Sequence, residues 1–180
     1  MVTVGEDGRR RVRYAGPVFD VRWRDGRAAG LARLWICSAA AAASFAALGF
    51  VTGADASSRP YFAIPYILSL WPTAMLAADT VKIASRKPRV TRTALESGLG
   101  RLRRDALFGL VLASALAVGQ AVKLAVMAAG GQPVWDASPP ALIAASYALA
   151  FLGAVRAASL AAAEEAPPPG TENVFADTSA

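Results

Sequence analysis

The stretch LARLWICSAAAAASFAALGFVTG, residues 31–53, decides the fold, because its only charge is Arg33. A helix of that length rises about 35 Å at 1.5 Å per residue, enough to cross a hydrocarbon core of about 30 Å. Three further apolar stretches follow at about 61–84, 106–130 and 141–162. Together they define an all-α integral membrane protein whose four transmembrane helices form two hairpins.

Composition agrees with this reading. Apolar residues make up 55% of the chain and charged ones 18%, where a soluble domain carries about a quarter charged. So little polar surface could not clothe a water-soluble globule. Abundant Ala, Gly, Arg, Val and Pro resemble the codon bias of a GC-rich bacterial genome.

The net charge is +6, and its placement gives the orientation. Eight basic residues from Arg9 to Arg33 precede or open the first span, and eight from Lys82 to Arg104 lie around the loop between the second and third. The two other loops hold only Arg59. Lys and Arg are retained on the cytoplasmic side, so the amino terminus and the central loop face the cytoplasm, and four spans return the carboxyl terminus there. The expected location is the bacterial cytoplasmic membrane, multi-pass. Arg86, Lys87, Arg89, Arg101, Arg103 and Arg104 are then candidate contacts for anionic lipid headgroups, each worth roughly 1 kcal/mol near the surface. Lipid accounts for the basic charge, and no nucleic-acid partner is expected.

The domain organisation is a basic tail over 1–30, a transmembrane domain over 31–162 with a cytoplasmic loop over 85–105, and a disordered tail over 163–180, where Glu164 and Glu165 lead into Ala-Pro-Pro-Pro-Gly. The first span is read as retained, since it is too long for a signal-peptide core. Within the amino-terminal tail, Phe19 to Gly26 alternates apolar and polar residues with period two, predicting a short strand, with Val12-Arg13-Tyr14 as its hairpin partner. An isolated ribbon is marginal, so Phe19, Val21 and Trp23 require cover from the bilayer interface, a neighbouring subunit or another protein. In the central loop Leu95, Leu99 and Leu102 recur at helical spacing beside Arg92, Arg101, Arg103 and Arg104, predicting an interfacial amphipathic helix.

Small residues dominate the first span, and Gly49 and Gly53 are spaced as G-x-x-x-G, a face for close helix packing within the chain or in a homodimer. Pro65 and Pro72 lie seven residues apart inside the second span and predict kinks. An offset of 81 residues pairs Asp55-Ala56-Ser57 with Asp136-Ala137-Ser138 and Tyr66 with Tyr147. It fits two fused hairpins of like orientation, or simply similar caps on two helices.

Polar groups inside spans cost a few kcal/mol and are functional candidates for that reason. Asp79 and Arg156 fall at similar depth near the cytoplasmic side and are expected to pair. Gln120 and Lys123 share a face of the third span and form the candidate polar site, suited to an anion or carboxylate. The chain has no histidine and one cysteine, Cys37, so the usual general base, zinc ligands and disulfides are not expected. No phosphate loop, dinucleotide fingerprint or metalloprotease motif occurs. The expectation is a protein that is not an enzyme, with no cofactor and no metal. It would act as subunit, assembly factor or regulator of a membrane complex, with a homodimer or another membrane protein as partner. The alternative is a small transporter or channel component built around Gln120 and Lys123. Small multidrug transporters resemble it in span number alone, since their carboxylate in the first span has no counterpart here.

Reporter fusions are expected to find the segment from Arg86 to Arg104 inside the cell and the loops after the first and third spans outside. An external signal from a fusion within 86–104 would overturn the assigned orientation.

Overall fold

The computed structural model describes residues 2–4, 10–12, 18–57, 60–86, 89–135 and 138–165. Its helices are α1 (Arg27–Ser57), α2 (Pro60–Ser85), α3 (Arg92–Leu95), α4 (Arg101–Ala129) and α5 (Ser138–Ser159), with a π-helical turn at Glu96–Gly100 joining α3 to α4. Four segments are long and apolar enough to cross a membrane: Arg27–Val51, Ala63–Ser85, Arg92–Ala129 and Ser138–Ser159. Three of them match the expected spans closely. The third is longer, because the predicted interfacial helix does not lie apart: α3, the π turn and α4 run on as one helical segment.

The long helices pack in chain order around a ring, α1 on α2, α2 on α4, α4 on α5 and α5 back on α1. Leu34, Ala41 and Leu48 recur every seven residues along α1 and are buried, keeping one face of that helix on its neighbours. Ala106 and Ala113 on α4 and Ala144, Ala150 and Ala154 on α5 fill equivalent positions. Alanine at the contact lets helix axes approach closely, the packing that operates where hydrophobicity does not separate helix from surroundings.

Large aromatic rings occupy the space that small residues leave. Phe45 stacks on Tyr66, ring centroids 4.6 Å apart, and Tyr147 meets Phe151 edge to face at 5.2 Å. A Cβ at Gly109 would run into the Phe151 ring, and one at Gly49 into the Tyr66 hydroxyl. Gly49 is therefore a packing residue within the chain; Gly53 falls where only the backbone is described. The helix α2 continues through both Pro65 and Pro72, and Pro72 is fully buried. Close by, Thr73 Oγ1 and the Tyr147 hydroxyl both donate to the Ser69 carbonyl, at 2.7 and 3.1 Å, tying α5 across the ring to α2.

The outer surface is the reverse of a soluble bundle. Ile36, Phe50, Ile67, Trp71, Val111 and Leu149 are exposed, while Ser38, Ser69, Thr73, Asp79, Thr80 and Gln120 are buried.

Among the described residues five short strands accompany the helices. A small pair, β1 (Val2–Val4) with β2 (Arg10–Val12), is antiparallel. A three-stranded antiparallel sheet has the order β4-β3-β5, from Arg89–Thr91, Val18–Trp23 and Ala161–Glu165. The predicted strand over Phe19–Trp23 exists, but its partners are not the preceding residues. It pairs Phe19 with Val90 on one edge and Trp23 with Ala161 on the other. Residue 12 belongs to the other pair, and Arg13 and Tyr14 lie outside the described residues. The expected disorder from 163 is likewise displaced, since β5 continues to Glu165; residues 166–180 lie outside the described set.

Trp23 is buried by the chain itself. Gly26, at φ +88°, turns β3 into α1 and its amide donates to the Trp23 carbonyl at 3.0 Å. This folds the indole back onto Gly30, where a Cβ would collide with the ring. The cover expected from a lipid interface or a partner comes instead from the first turn of α1.

Gly109→Ala is expected to destabilise the detergent-solubilised protein by about 1–3 kcal/mol through overpacking against Phe151. Gly119→Ala, where a Cβ meets nothing within 4 Å, should be neutral or stabilising by up to about 1 kcal/mol. Thermal unfolding of the two variants side by side checks the assignment; equal melting temperatures would contradict it.

Candidate functional site

Polar side chains in the bundle gather at two levels. The first is next to the sheet. Asp79, in the last two turns of α2, is 1% exposed, and neither carboxylate oxygen has a hydrogen bond among the described residues. Its neighbours are cations, Lys82 Nζ at 3.7 Å from its own helix and Arg101 Nε at 3.8 Å from the start of α4. These are ion-pair distances beyond hydrogen-bonding range.

Arg101 is the hub of this group. Its Nε also lies 3.4 Å from Asp105 Oδ2, and its Nη2 is 3.1 Å from Met75 Sδ. One guanidinium thus joins two carboxylates on adjacent helices. The predicted partner of Asp79 was Arg156, which is exposed on α5 instead. The two residues share a depth but not a neighbourhood, because α2 sits between α1 and α4 in the ring. Charge compensation matters here: removing one partner of a buried pair leaves the other charge to bear its desolvation cost.

The second level is toward the opposite end. Gln120 is buried on α4, and its Oε1 has no hydrogen-bond partner among the described residues. Lys123, one turn on, is half-buried. Gln120 lies on the buried stripe of Ala113 and Leu116, and the heptad spacing from Leu116 continues that stripe to Lys123. Gln120 lies 11 residues beyond Gly109 along α4, about 16 Å past the Phe151 contact. The unpartnered amide oxygen could accept a hydrogen bond, and the ammonium beside it could supply a charge.

The basic residues of the central loop divide. Arg103 and Arg104 are exposed. Arg86 is half-buried, and its Nη1 donates to the Ala94 carbonyl at 2.6 Å. That carbonyl lies in α3 just before the π turn, and the Ser97 hydroxyl also donates to it, at 3.4 Å. Arg27 Nη2 in turn donates to the Arg86 carbonyl, just past the end of α2. Such carbonyls at a helix end have no partner within the helix. Arg89 contributes backbone to β4, and Lys87 lies outside the described residues. Arg22 on β3 pairs with Glu164 on β5 at 3.1 Å, both exposed.

Sequence reasoning missed Arg101 as the partner of Asp79 and Arg27 as the partner of the Arg86 carbonyl. The i,i+4 spacing of Arg101 and Asp105 was the available signal for a pairing near the start of α4. No family model, curated protein or solved structure matches this chain.

A double-mutant cycle on Asp79→Asn and Arg101→Gln is expected to show coupling of about 0.5–3 kcal/mol in thermal unfolding, as for residues in contact. The cycle on Asp79→Asn and Arg156→Gln should be additive within about 0.5 kcal/mol. Coupling to Arg156 as strong as to Arg101 would refute the described pairing.

Proposed function

We propose that this chain is a non-enzymatic multi-pass protein of the bacterial cytoplasmic membrane, working as a subunit, assembly factor or regulator of a membrane complex. Both termini and the central loop face the cytoplasm in this reading. The observation that carries it is the sheet β4-β3-β5, which gathers three chain segments far apart in sequence at one end of the bundle. An even number of spans puts those segments on one side of a membrane, and the basic charge of the tail and loop makes that side the cytoplasmic one. The sheet turns three connecting segments into one ordered surface with two edge strands, and edge strands are ready-made sites for pairing with another chain.

The bundle favours a scaffold over a conduit. Its interior carries Phe45, Tyr66, Tyr147 and Phe151 packed against Gly49 and Gly109, so rings fill the space between the helices. The exposed apolar side chains supply the lipid-facing surface that spans require. Arg103 and Arg104 stand exposed at the sheet end, where anionic headgroups would lie.

One observation favours the alternative, a transporter or channel component. The Gln120 Oε1 is buried without a hydrogen bond among the described residues, the kind of group a solute or a second protomer would satisfy. A homodimer enclosing Gln120 and Lys123 would be its form.

Mild detergent extraction of tagged protein from its native membrane, followed by mass spectrometry, separates the two. A stoichiometric second protein is the expected result. Recovery of the chain alone as a homo-oligomer, together with solute flux that Lys123→Ala abolishes, would replace the first reading with the second.

A further inference from the structure

Where the sheet meets the bundle there is a small groove, open to the outside. Trp23, Ile83, Val90 and Leu99 supply apolar walls, and Arg27 and Arg86 supply two cations. Among the described residues that line it none is acidic. The groove is assembled from β3, α1, the end of α2, β4 and the π turn, so its parts meet only in the folded chain.

Both guanidiniums are held in place. Arg86 is fixed by its bond to the Ala94 carbonyl and lies against Gly98, where a Cβ would approach its Nη1 to 2.8 Å. Arg27 is fixed by its bond to the Arg86 carbonyl. Each uses one donor nitrogen in this way, and the remaining donors have no acceptor among the described residues. A guanidinium presents five N–H donors in a planar fork that matches phosphate. Two such groups above apolar walls match a ligand with an anionic head and a hydrocarbon body. The position is also suitable, since the groove lies where the sheet adjoins the start of α1 and the end of α2.

We propose that this groove binds one anionic phospholipid, with its phosphate between Arg27 and Arg86 and the first part of an acyl chain against Trp23, Ile83 and Leu99. This rests on the membrane reading above and adds to it a selective, stoichiometric site in place of diffuse attraction to a basic surface. The π turn has a function on this account. It supplies Gly98, which gives Arg86 room, while the Ala94 carbonyl of α3 just before it holds Arg86.

The test uses the full chain with Trp35, Trp71 and Trp135 replaced by Phe, leaving Trp23 as the sole tryptophan. The purified protein in non-ionic detergent is titrated with phosphatidylglycerol or phosphatidylcholine carrying brominated acyl chains, which quench nearby indole emission. Phosphatidylglycerol is expected to quench Trp23 saturably at about one lipid per chain, at concentrations about tenfold below those phosphatidylcholine requires. Arg27→Gln should weaken this about tenfold, the loss of one charge-assisted contact, as should Arg86→Gln. Arg24→Gln, an equal loss of charge at an exposed position, should change it less than twofold. Equal quenching by both lipids, or equal effects of Arg24→Gln and Arg27→Gln, would overturn the proposal. Competition by inorganic phosphate as strong as that by unbrominated phosphatidylglycerol would make the occupant a free anion and overturn it too. Flotation of the same protein with lipid vesicles keeps the two readings separate: flotation without selective quenching removes the lipid site alone, and failure to float removes the membrane reading itself.

Discussion

Close approach of helix backbones is the constraint on which this structure depends. Each of the four long helices presents large apolar side chains outward, so burial of hydrophobic surface cannot by itself hold the helices together in an apolar environment. Contact has to come from shape. Alanine on α1, α4 and α5 and glycine at 49 and 109 bring the backbones near, and the rings of Phe45, Tyr66, Tyr147 and Phe151 fill what is left. The polar groups turned inward are consistent with the same constraint, since in such surroundings they have no water to satisfy them. Ser69, Thr73 and Tyr147 bond to one another or to backbone, and Asp79 sits between two cations.

The end of the bundle that carries the sheet is organised differently. There the side chains are long and charged, and the backbone makes the connections. β3 sits between β4 and β5, so the segment before the first helix is hydrogen-bonded both to the segment between α2 and α3 and to the one after α5. Arg27 and Arg86 extend this network from side chain to backbone. Asp79, Arg101 and Asp105 link α2 to α4 nearby. Connections of this density at one end contrast with the opposite end, where Gln120 keeps an unpartnered oxygen among the described residues.

Much of the helical architecture was legible in the chain, and the candidate sites much less so. Span positions follow from runs of apolar residues, a local property. The strand at Phe19–Trp23 was visible in its alternation for the same reason. Its partners were not visible, because strand pairing joins residues about 70 and 140 positions away in the sequence, and period two specifies a face rather than a neighbour. The extent of the third helical segment was misjudged because Arg92, Arg101, Arg103 and Arg104 beside Leu95, Leu99 and Leu102 read as a separate interfacial helix, whereas the segment runs on through a π turn at Glu96–Gly100.

The sequence by itself determined that four segments of this chain are long and apolar enough to cross a membrane, and that basic residues cluster around the amino-terminal tail and the central loop. Helix length, hydropathy and charge are sums over neighbouring residues, which is why they need no fold. Only the tertiary structure decided which groups meet. A sequence gives each side chain a depth along its helix, and the order of helices around the ring supplies the direction in which it finds a partner. Asp79 and Arg156 share a depth, yet α4 rather than α5 is the helix packed beside α2, so the guanidinium beside Asp79 is that of Arg101.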